Sequence, residues 1–170
     1  MKLITEIRER DIDPSREQLP DEAHVNYREV AKVVLFDNDN NVALIHYPPK
    51  EEYPSDDYYI PGGGVEEGET VLEALHRESM EEIGCKIKDI KEVGYVVVYM
   101  REGLLKQKVY IFTAKVDGNK GLPQLTESEA KNGMGLVWRP INEALNLVLN
   151  SETKNFARAF ALVTLDAVIV

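Results

Sequence analysis

Residues 62–85, GGGVEEGETVLEALHRESMEEIGC, constrain the fold more than any other stretch, because three glycines run directly into a segment that contains seven glutamates. From Glu69 or Thr70 to Ile83 the apolar residues follow the period of an α-helix, and Gly84 stands where a helix-ending glycine is expected. The apolar stripe of this helix consists of Leu72, Leu75, Ser79 and Ile83, with Val71 at its edge. The segment therefore predicts a glycine turn followed by an amphipathic helix.

The glutamates of this helix do not all lie on its solvent side. Glu78 and Glu82 are one turn apart and border the apolar stripe, whereas Glu81 points further round toward solvent. Like charges at this spacing weaken a helix, and the repulsion is stronger beside a core than in open water. Arg77 can reach Glu81, but one guanidinium cannot neutralise every carboxylate. A divalent cation can, whereas the alternative of a plain exposed charged face does not explain the position beside the core.

The available ligand types favour a hard cation. Carboxylates dominate, and the chain has only three scattered histidines, His24, His46 and His76. Mg²⁺ or Mn²⁺ therefore fits better than Zn²⁺. Mg²⁺ usually keeps several waters and adds substrate phosphates to its shell, so two or three carboxylates suffice. The glycines at 62–64 allow the backbone to approach a ligand closely, and the adjacent helix N-terminus favours a phosphate.

The spacing of these residues matches a known motif. Read from Gly63, the chain has five residues, Glu69, seven residues and then RESMEEIGC. Residues 63–85 thus resemble the Nudix box of the Nudix pyrophosphohydrolases, with every glycine, glutamate and arginine position filled. Two aliphatic positions differ, because they hold Ser79 and Cys85. Both differences concern packing, and Ser79 either packs closely or bonds its hydroxyl back to the preceding turn.

The resemblance implies a fold and a reaction. The fold is α/β (α+β), an α/β/α sandwich around a mixed β-sheet. We expect residues 1–170 to form a single domain, in which residues 1–28 are an N-terminal arm or strand plus a polar connection. The reaction is Mg²⁺-dependent hydrolysis of a nucleoside diphosphate linked to another group, so we expect an enzyme that acts on phosphoric anhydride bonds.

The resemblance also implies a metal site. Glu78 and Glu82 would hold the catalytic metal, Glu81 would assist through a second ion or a water, and the carbonyl of Gly62 would be a further ligand. A metal held in this way neutralises the diphosphate, lowers the pKa of a bound water and aligns that water with phosphorus.

Other residues receive supporting roles. Arg77 and Glu69 would fix the carboxylate geometry by pairing with each other or with Glu78. A carboxylate then removes the proton of the attacking water. Candidates outside the box are Glu127 and Glu129 in QLTESEAKNG, for which a solvated acidic loop is the alternative.

Substrate contacts are assigned to glycines and tyrosines. Gly63 and Gly64 would approach the phosphates. Tyr47, Tyr53 and Tyr58 flank the acidic loop PPKEEYPSDD and are candidates for stacking on a nucleobase, with ordinary surface exposure as the alternative.

The identity of the substrate stays open at this level. Motifs of coenzyme A, NADH or ADP-ribose hydrolysis are not visible, so we favour a (deoxy)nucleoside triphosphate or another small nucleotide derivative. A hydrolase of ADP-ribose or a nucleotide sugar, and a noncatalytic nucleotide sensor on the same fold, are the alternatives. The intact set of acidic residues favours an enzyme over a sensor.

Charge and composition limit the partners. Thirty acidic and twenty basic residues give a net charge of −10, so a long nucleic acid is a poor partner. The start of the chain lacks the apolar run of a signal peptide, and the apolar C-terminal stretch is interrupted by charges, so we expect no membrane association and a cytoplasmic location. The single cysteine, Cys85, fits a buried apolar position better than a reactive one. A homodimer is possible.

Local patterns predict the remaining elements. Residues 2–9 read as a strand or an arm, residues 11–24 as a polar connection, and residues 29–47 as a hairpin around the turn NDNN. Two further strands flank REGLL, GLVWRP forms a short strand, and INEALNLVLN forms a helix. A last helix opens with Ser151 as a plausible N-cap.

Overall fold

A seven-stranded mixed sheet organises the fold. The structure is a computed structural model that describes residues 1–51, 56–150 and 156–169. The strands are β1 (Leu3–Ile7), β2 (Asn26–Phe36), β3 (Asn41–Tyr47), β4 (Asp57–Tyr59), β5 (Lys86–Met100), β6 (Leu105–Asp117) and β7 (Gly135–Pro140). The helices are α1 (Glu9–Ile12), α2 (Val71–Glu78), α3 (Glu127–Lys131), α4 (Ile141–Asn150) and α5 (Phe156–Ile169). The strand order is β1-β5-β6-β2-β3-β4, and β7 pairs with β3.

From Val30 to Phe36, strand β2 is nearly continuous in apolar residues because both of its faces are buried there. Val30 and Val34 belong to a core cluster that includes residues of α4 and α5. Ala31, Val33 and Leu35 belong to a second cluster, which includes residues of α2. The sheet is therefore covered by helices on both faces, which confirms the predicted sandwich around a mixed sheet.

The neighbours β2 and β3 separate after a short contact, and a glycine segment takes the free edge of β2. In the antiparallel pair, Phe36 lies opposite Val42. Closer to the start of β2, the N–H of Ala31 donates to the carbonyl of Gly63 at 2.9 Å, and the N–H of Val33 donates to the carbonyl of Pro61 at 3.0 Å. Since β6 covers the opposite edge of β2 along its whole length, residues 61–65 lie on the side from which β3 has departed. This arrangement delivers the three glycines to the N-terminal side of α2.

Most predicted elements are confirmed. The hairpin, the two long strands, the short strand at 135–140 and the helix at 141–150 have the expected positions. The ambiguous segment at 2–9 contains β1, which pairs in parallel with β5. The polar connection at 11–24 contains the end of α1 and a 3₁₀ turn at Asp21–Ala23.

One prediction about the helices is wrong, one prediction about a neighbouring residue is confirmed, and one concerns a residue that the structure does not describe. Leu72 was predicted on the apolar stripe but is 48% exposed, because the buried arc of α2 runs through Ala74 and Leu75. Cys85 is buried, as expected from its surroundings in the sequence. The predicted N-cap Ser151 lies outside the described residues.

Candidate metal and phosphate site

The start of α2 is fixed by a capping box. The hydroxyl of Thr70 accepts a hydrogen bond from the backbone N–H of Glu73 at 3.3 Å. In return, the Glu73 carboxylate accepts from the backbone N–H of Thr70 at 2.8 Å. These reciprocal bonds satisfy two donors that would otherwise be free at the helix N-terminus. The capping box therefore fixes the residue at which the helix begins after the glycine turn.

The second half of the predicted helix is a π-helical turn, Ser79–Ile83. Ser79 is buried, and its hydroxyl donates to the carbonyl of Leu75 at 2.7 Å, so the predicted bond to the preceding turn is confirmed. A π-turn is wider than an α-turn and changes the direction of the residues that follow. Glu81 and Glu82 both lie in this turn.

The glycine backbone and two carboxylates are in close contact. The N–H of Gly62 donates to Oε2 of Glu82 at 2.6 Å. A Cβ on Gly62, which has a φ of 119°, would lie 2.1 Å from the carbonyl oxygen of Ala31. A Cβ on Gly63 would lie 2.2 Å from Oε1 of Glu78, so this carboxylate rests directly on the glycine backbone. Only glycine permits both approaches.

Arg77 links most of the remaining acidic groups. Its Nε and Nη2 donate to the two oxygens of Glu69 at 2.9 and 3.0 Å, a bidentate pair. Its Nη1 donates to Oε1 of Glu78 at 2.7 Å and to Oε2 of Glu81 at 3.2 Å. Nη2 also donates to the carbonyl of Gly64 at 2.9 Å. The hydrogen bond from Arg77 lowers the pKa of Glu69 below its usual value, so that this carboxylate stays ionised.

Lys32 of β2 is a positive neighbour of Glu82. The ammonium of Lys32 donates a hydrogen bond to the carbonyl oxygen of Gly62. Burial raises the pKa of Glu82 and lowers that of Lys32, while the attraction between the two charges opposes both shifts. Glu78 also interacts electrostatically with Lys32. Lys32 therefore partly neutralises the carboxylates of Glu78 and Glu82, which are called the two inner carboxylates below.

These residues suit a partly hydrated divalent cation. Within the part of the chain that the structure describes, no three acidic, histidine or cysteine side chains converge closely enough to enclose an ion by themselves. The carboxylates of Glu78 and Glu82 contact the backbone of Gly63 and Gly62, and the carbonyl of Gly62 belongs to the same turn, so all the candidate ligand atoms are hard oxygens. Mg²⁺ needs only one or two carboxylates when water and phosphate complete its shell. Glu81 is more peripheral, because its side chain is 48% exposed and is held by Arg77.

The two candidate bases occupy different environments. The carboxylate of Glu129 accepts from the backbone N–H of Thr126 at 2.7 Å and from its hydroxyl at 2.9 Å, which caps α3. Glu129 also interacts electrostatically with Glu82 and Tyr47. The structure shows no such interaction for Glu127 within the described residues. Of the pair, Glu129 is thus the one brought toward Glu82.

Two neighbouring cavities lie near the site, and Glu82 lines one of them. The first has a volume of about 320 Å³ and is lined by Lys32, Ile45, Tyr47, Tyr59, Ile60 and Glu82. The second, of about 190 Å³, shares Lys32, Tyr59 and Ile60 with the first. Its other lining is mainly apolar and includes Phe156, Phe160 and Gln107. The two cavities thus lie side by side at Lys32, Tyr59 and Ile60, with Glu82 lining the first and the apolar residues lining the second.

The predicted tyrosines are divided among different locations. Tyr47 lines the first cavity, and burial is the main cause of its raised pKa. Tyr58 does not line either cavity but stacks on His46, with ring centroids 4.7 Å apart. Its neighbour Tyr59 lines both cavities instead. Tyr53 lies outside the described residues.

Sequence reasoning missed Arg28, Lys32 and Tyr59. Lys32 interrupts the apolar run REVAKVVLF, and this interruption was the available signal. A Cβ on Gly64 would lie 2.3 Å from Nη2 of Arg28, so this guanidinium reaches the glycine turn. Among the described residues, Arg28 has no carboxylate within salt-bridge distance. The ion pairs of the site are made by Arg77 instead.

The comparisons with known proteins agree on the type of domain. A sequence model of the NUDIX domain matches residues 26–160. The RNA pyrophosphohydrolase of Helicobacter pylori (strain G27) is 41% identical over 64 residues, which are 37% of this chain and 39% of that protein. The RNA pyrophosphohydrolase of strain P12 is 32% identical over 99 residues, which are 57% of this chain and 61% of that protein. The chain thus spans less than two thirds of the length of these relatives.

Solved structures show the same fold. A MutT structure from work on Aliivibrio salmonicida and Vibrio cholerae superposes with a TM-score of 0.58 and 18% identity, covering 85% of this chain and 98% of that one. At this identity the likeness concerns the fold alone. No helix among the described residues has the length and apolar character needed to cross a membrane.

Proposed function

Because this chain belongs to the NUDIX domain family, we propose that it is a Mg²⁺-dependent pyrophosphohydrolase of a small nucleoside diphosphate derivative. The observation that carries the proposal is the meeting of Glu78 and Glu82 with the glycine backbone. The backbone N–H of Gly62 lies 2.6 Å from Oε2 of Glu82, and Oε1 of Glu78 lies 2.2 Å from the position of a Cβ on Gly63. Hard oxygens beside a glycine turn suit the binding of a metal and a diphosphate.

Glu78, Glu82 and the Gly62 carbonyl would hold the cation. Bound Mg²⁺ supplies charge neutralisation for the diphosphate and a water of lowered pKa. Arg77 and Glu69 keep the Glu78 carboxylate in position through the bidentate pair and the 2.7 Å bond to Oε1. Glu81 would assist through a water or a second ion from its exposed position.

Glu129 is the base that we favour for the attacking water. It is held at the first turn of α3 and interacts electrostatically with Glu82. A carboxylate near the metal ligands can accept the proton of a water that lies between them. Glu127, which lacks these interactions, is the weaker candidate.

The substrate would extend from the glycine turn into the cavities. Arg28, which reaches Gly64 and has no carboxylate partner among the described residues, suits a terminal phosphate of the substrate. Tyr47 and Tyr59 line the cavity beside Glu82, and the neighbouring apolar cavity, with Phe156 and Phe160, suits the flat apolar faces of a nucleobase.

Substrate size follows from the charge of the chain. The relatives named RNA pyrophosphohydrolase match over at most 61% of their length. A net charge of −10 disfavours a long polyanion, so we retain a (deoxy)nucleoside triphosphate or another small nucleotide as the substrate. ADP-ribose, nucleotide sugars and 5′-triphosphorylated RNA are the alternatives to be compared with it.

A substrate panel tests the proposal. Purified protein is incubated with Mg²⁺ and each nucleotide class, a short 5′-triphosphorylated RNA is included, and the products are resolved by chromatography. Cleavage of a phosphoric anhydride bond in a small nucleotide, lost in Glu82→Gln, is the expected result. Binding of nucleotides without any cleavage would instead identify a sensor, and preferential cleavage of the RNA would replace the substrate class.

A further inference from the structure

Lys32 is an unusual residue for its position. It lies in the central strand β2, between the buried residues Ala31 and Val33, and it lines both cavities beside the acidic groups. The residue is half-buried, and its ammonium donates to the carbonyl of Gly62. Burying a lysine charge costs free energy unless partners compensate it, so its environment requires an explanation.

The partners of Lys32 are the groups proposed as metal ligands. It bonds the Gly62 carbonyl, and its charge interacts with Glu82 and Glu78. The same Gly62 donates its N–H to Glu82, so backbone, carboxylate and ammonium form one connected set. The ammonium of Lys32 therefore already lies beside the oxygens that a divalent cation would use, in addition to Arg77, which bonds Glu78.

We propose that Lys32 is a built-in counter-ion that competes with the divalent cation for the Gly62 carbonyl and the two inner carboxylates. In the metal-free protein its ammonium keeps Glu78 and Glu82 close together. Entry of the metal displaces the ammonium from the Gly62 carbonyl, because two cations cannot share that oxygen without strong repulsion. Lys32 is thus a positioning residue that weakens metal affinity and stabilises the empty site. This inference rests on the proposed metal site.

Metal affinity is the decisive measurement. Mn²⁺ binding is followed by electron paramagnetic resonance at neutral pH in wild-type protein, Lys32→Met and Lys115→Met. Methionine matches the length of lysine without its charge. We expect Lys32→Met to bind Mn²⁺ at least ~10-fold more tightly, since a repulsive charge beside the ion is removed. The control Lys115→Met removes an exposed lysine of β6 and should stay within about twofold of wild type by the same argument.

Thermal stability supplies a second readout. Without metal, Lys32→Met should unfold at a lower temperature than Lys115→Met, because Glu82 then lacks its neighbouring cation. Added Mn²⁺ should raise the unfolding temperature more in Lys32→Met than in wild type. An unchanged or weaker affinity for Mn²⁺ in this variant would overturn the inference, whereas the proposed metal site would stand as long as wild type binds the ion.

Lysine-selective NMR of the wild-type protein needs no variant to fold. The ammonium signal of Lys32 should be protected from exchange with water in the metal-free protein and should shift and lose that protection when Mg²⁺ is added. A signal that does not respond to Mg²⁺, in protein that binds the ion by calorimetry, would contradict displacement. Failure of wild type to bind any divalent ion would overturn the metal site and this inference together.

Discussion

The carboxylate of Glu78 rests on the backbone of Gly63, so closely that a Cβ on the glycine would stand 2.2 Å from Oε1. The same oxygen accepts a 2.7 Å hydrogen bond from Nη1 of Arg77. Backbone on one side and guanidinium on the other thus hold the carboxylate before any ligand binds. A ligand group that is fixed in advance loses little conformational entropy when it binds, which favours both affinity and geometry.

Replacing Gly63 with alanine should damage the site more than the fold. The added Cβ meets the end of the flexible Glu78 side chain, so the carboxylate moves while the backbone persists. We expect at least ~10-fold lower turnover and weaker Mn²⁺ binding, since misplacing a group by about 1 Å is enough for large losses. Steady-state kinetics and calorimetry provide the measurements.

Gly135→Ala is the matched control for this change. Its Cβ would find the carbonyl oxygen of His46 at 3.8 Å, an ordinary contact, so activity should remain near wild type. Equal losses in both variants would show that the effect is a general consequence of losing a glycine.

Glu78→Gln and Glu82→Gln should each reduce turnover at least ~100-fold while leaving the fold intact, because an amide removes the negative charge that the metal requires. Glu67→Gln changes an exposed glutamate of the same segment and should have little effect. Phosphate release with Mg²⁺ measures activity, and circular dichroism checks the fold. Full activity in either inner variant would refute the assignment of these ligands.

Glu129→Gln should lower kcat by about 100-fold, the usual contribution of a general base. Glutamine at this position retains the capping box with Thr126, so the unfolding temperature should not change. Glu127→Gln, two positions earlier on α3, should behave like wild type. A larger loss in Glu127→Gln than in Glu129→Gln would reverse the assignment of the base.

Asp37→Asn should reduce stability in a way that depends on pH. Burial favours the neutral acid, but the hydrogen bonds from Lys120 at 2.6 Å and from the N–H of Asn41 at 2.8 Å outweigh it. The folded pKa of Asp37 is therefore below the ordinary 3.8. Its contribution is fully present above that ordinary value and is lost as pH falls through the folded pKa.

Urea unfolding at two pH values tests this expectation. At pH 7 the variant should lose about 1–3 kcal/mol, as for hydrogen bonds to a charged group. Near pH 3 the difference between wild type and variant should be smaller. A difference that stays constant, or grows on acidification, would show that the ionised carboxylate does not stabilise the fold.

Local patterns determined much of the architecture. The hairpin at 29–47 follows from two apolar runs around NDNN, and the helix from 70 to 83 follows from its period and from Gly84. Such features depend on neighbours within a few residues, so they can be read along the chain. The exposure of Leu72 could not be read along the chain, because it depends on which arc of α2 meets the sheet.

The spacing of Glu78 and Glu82 is local, so the chain predicts without reference to other segments that both belong to one helical stretch. Which groups face these carboxylates depends on the packing of distant segments. Lys32 reaches Gly62 from 30 positions away, and it does so because β2 and β3 separate and leave an edge that residues 61–65 occupy. Contacts of that kind arise from strand pairing and burial across the whole sheet, and no local pattern specifies them.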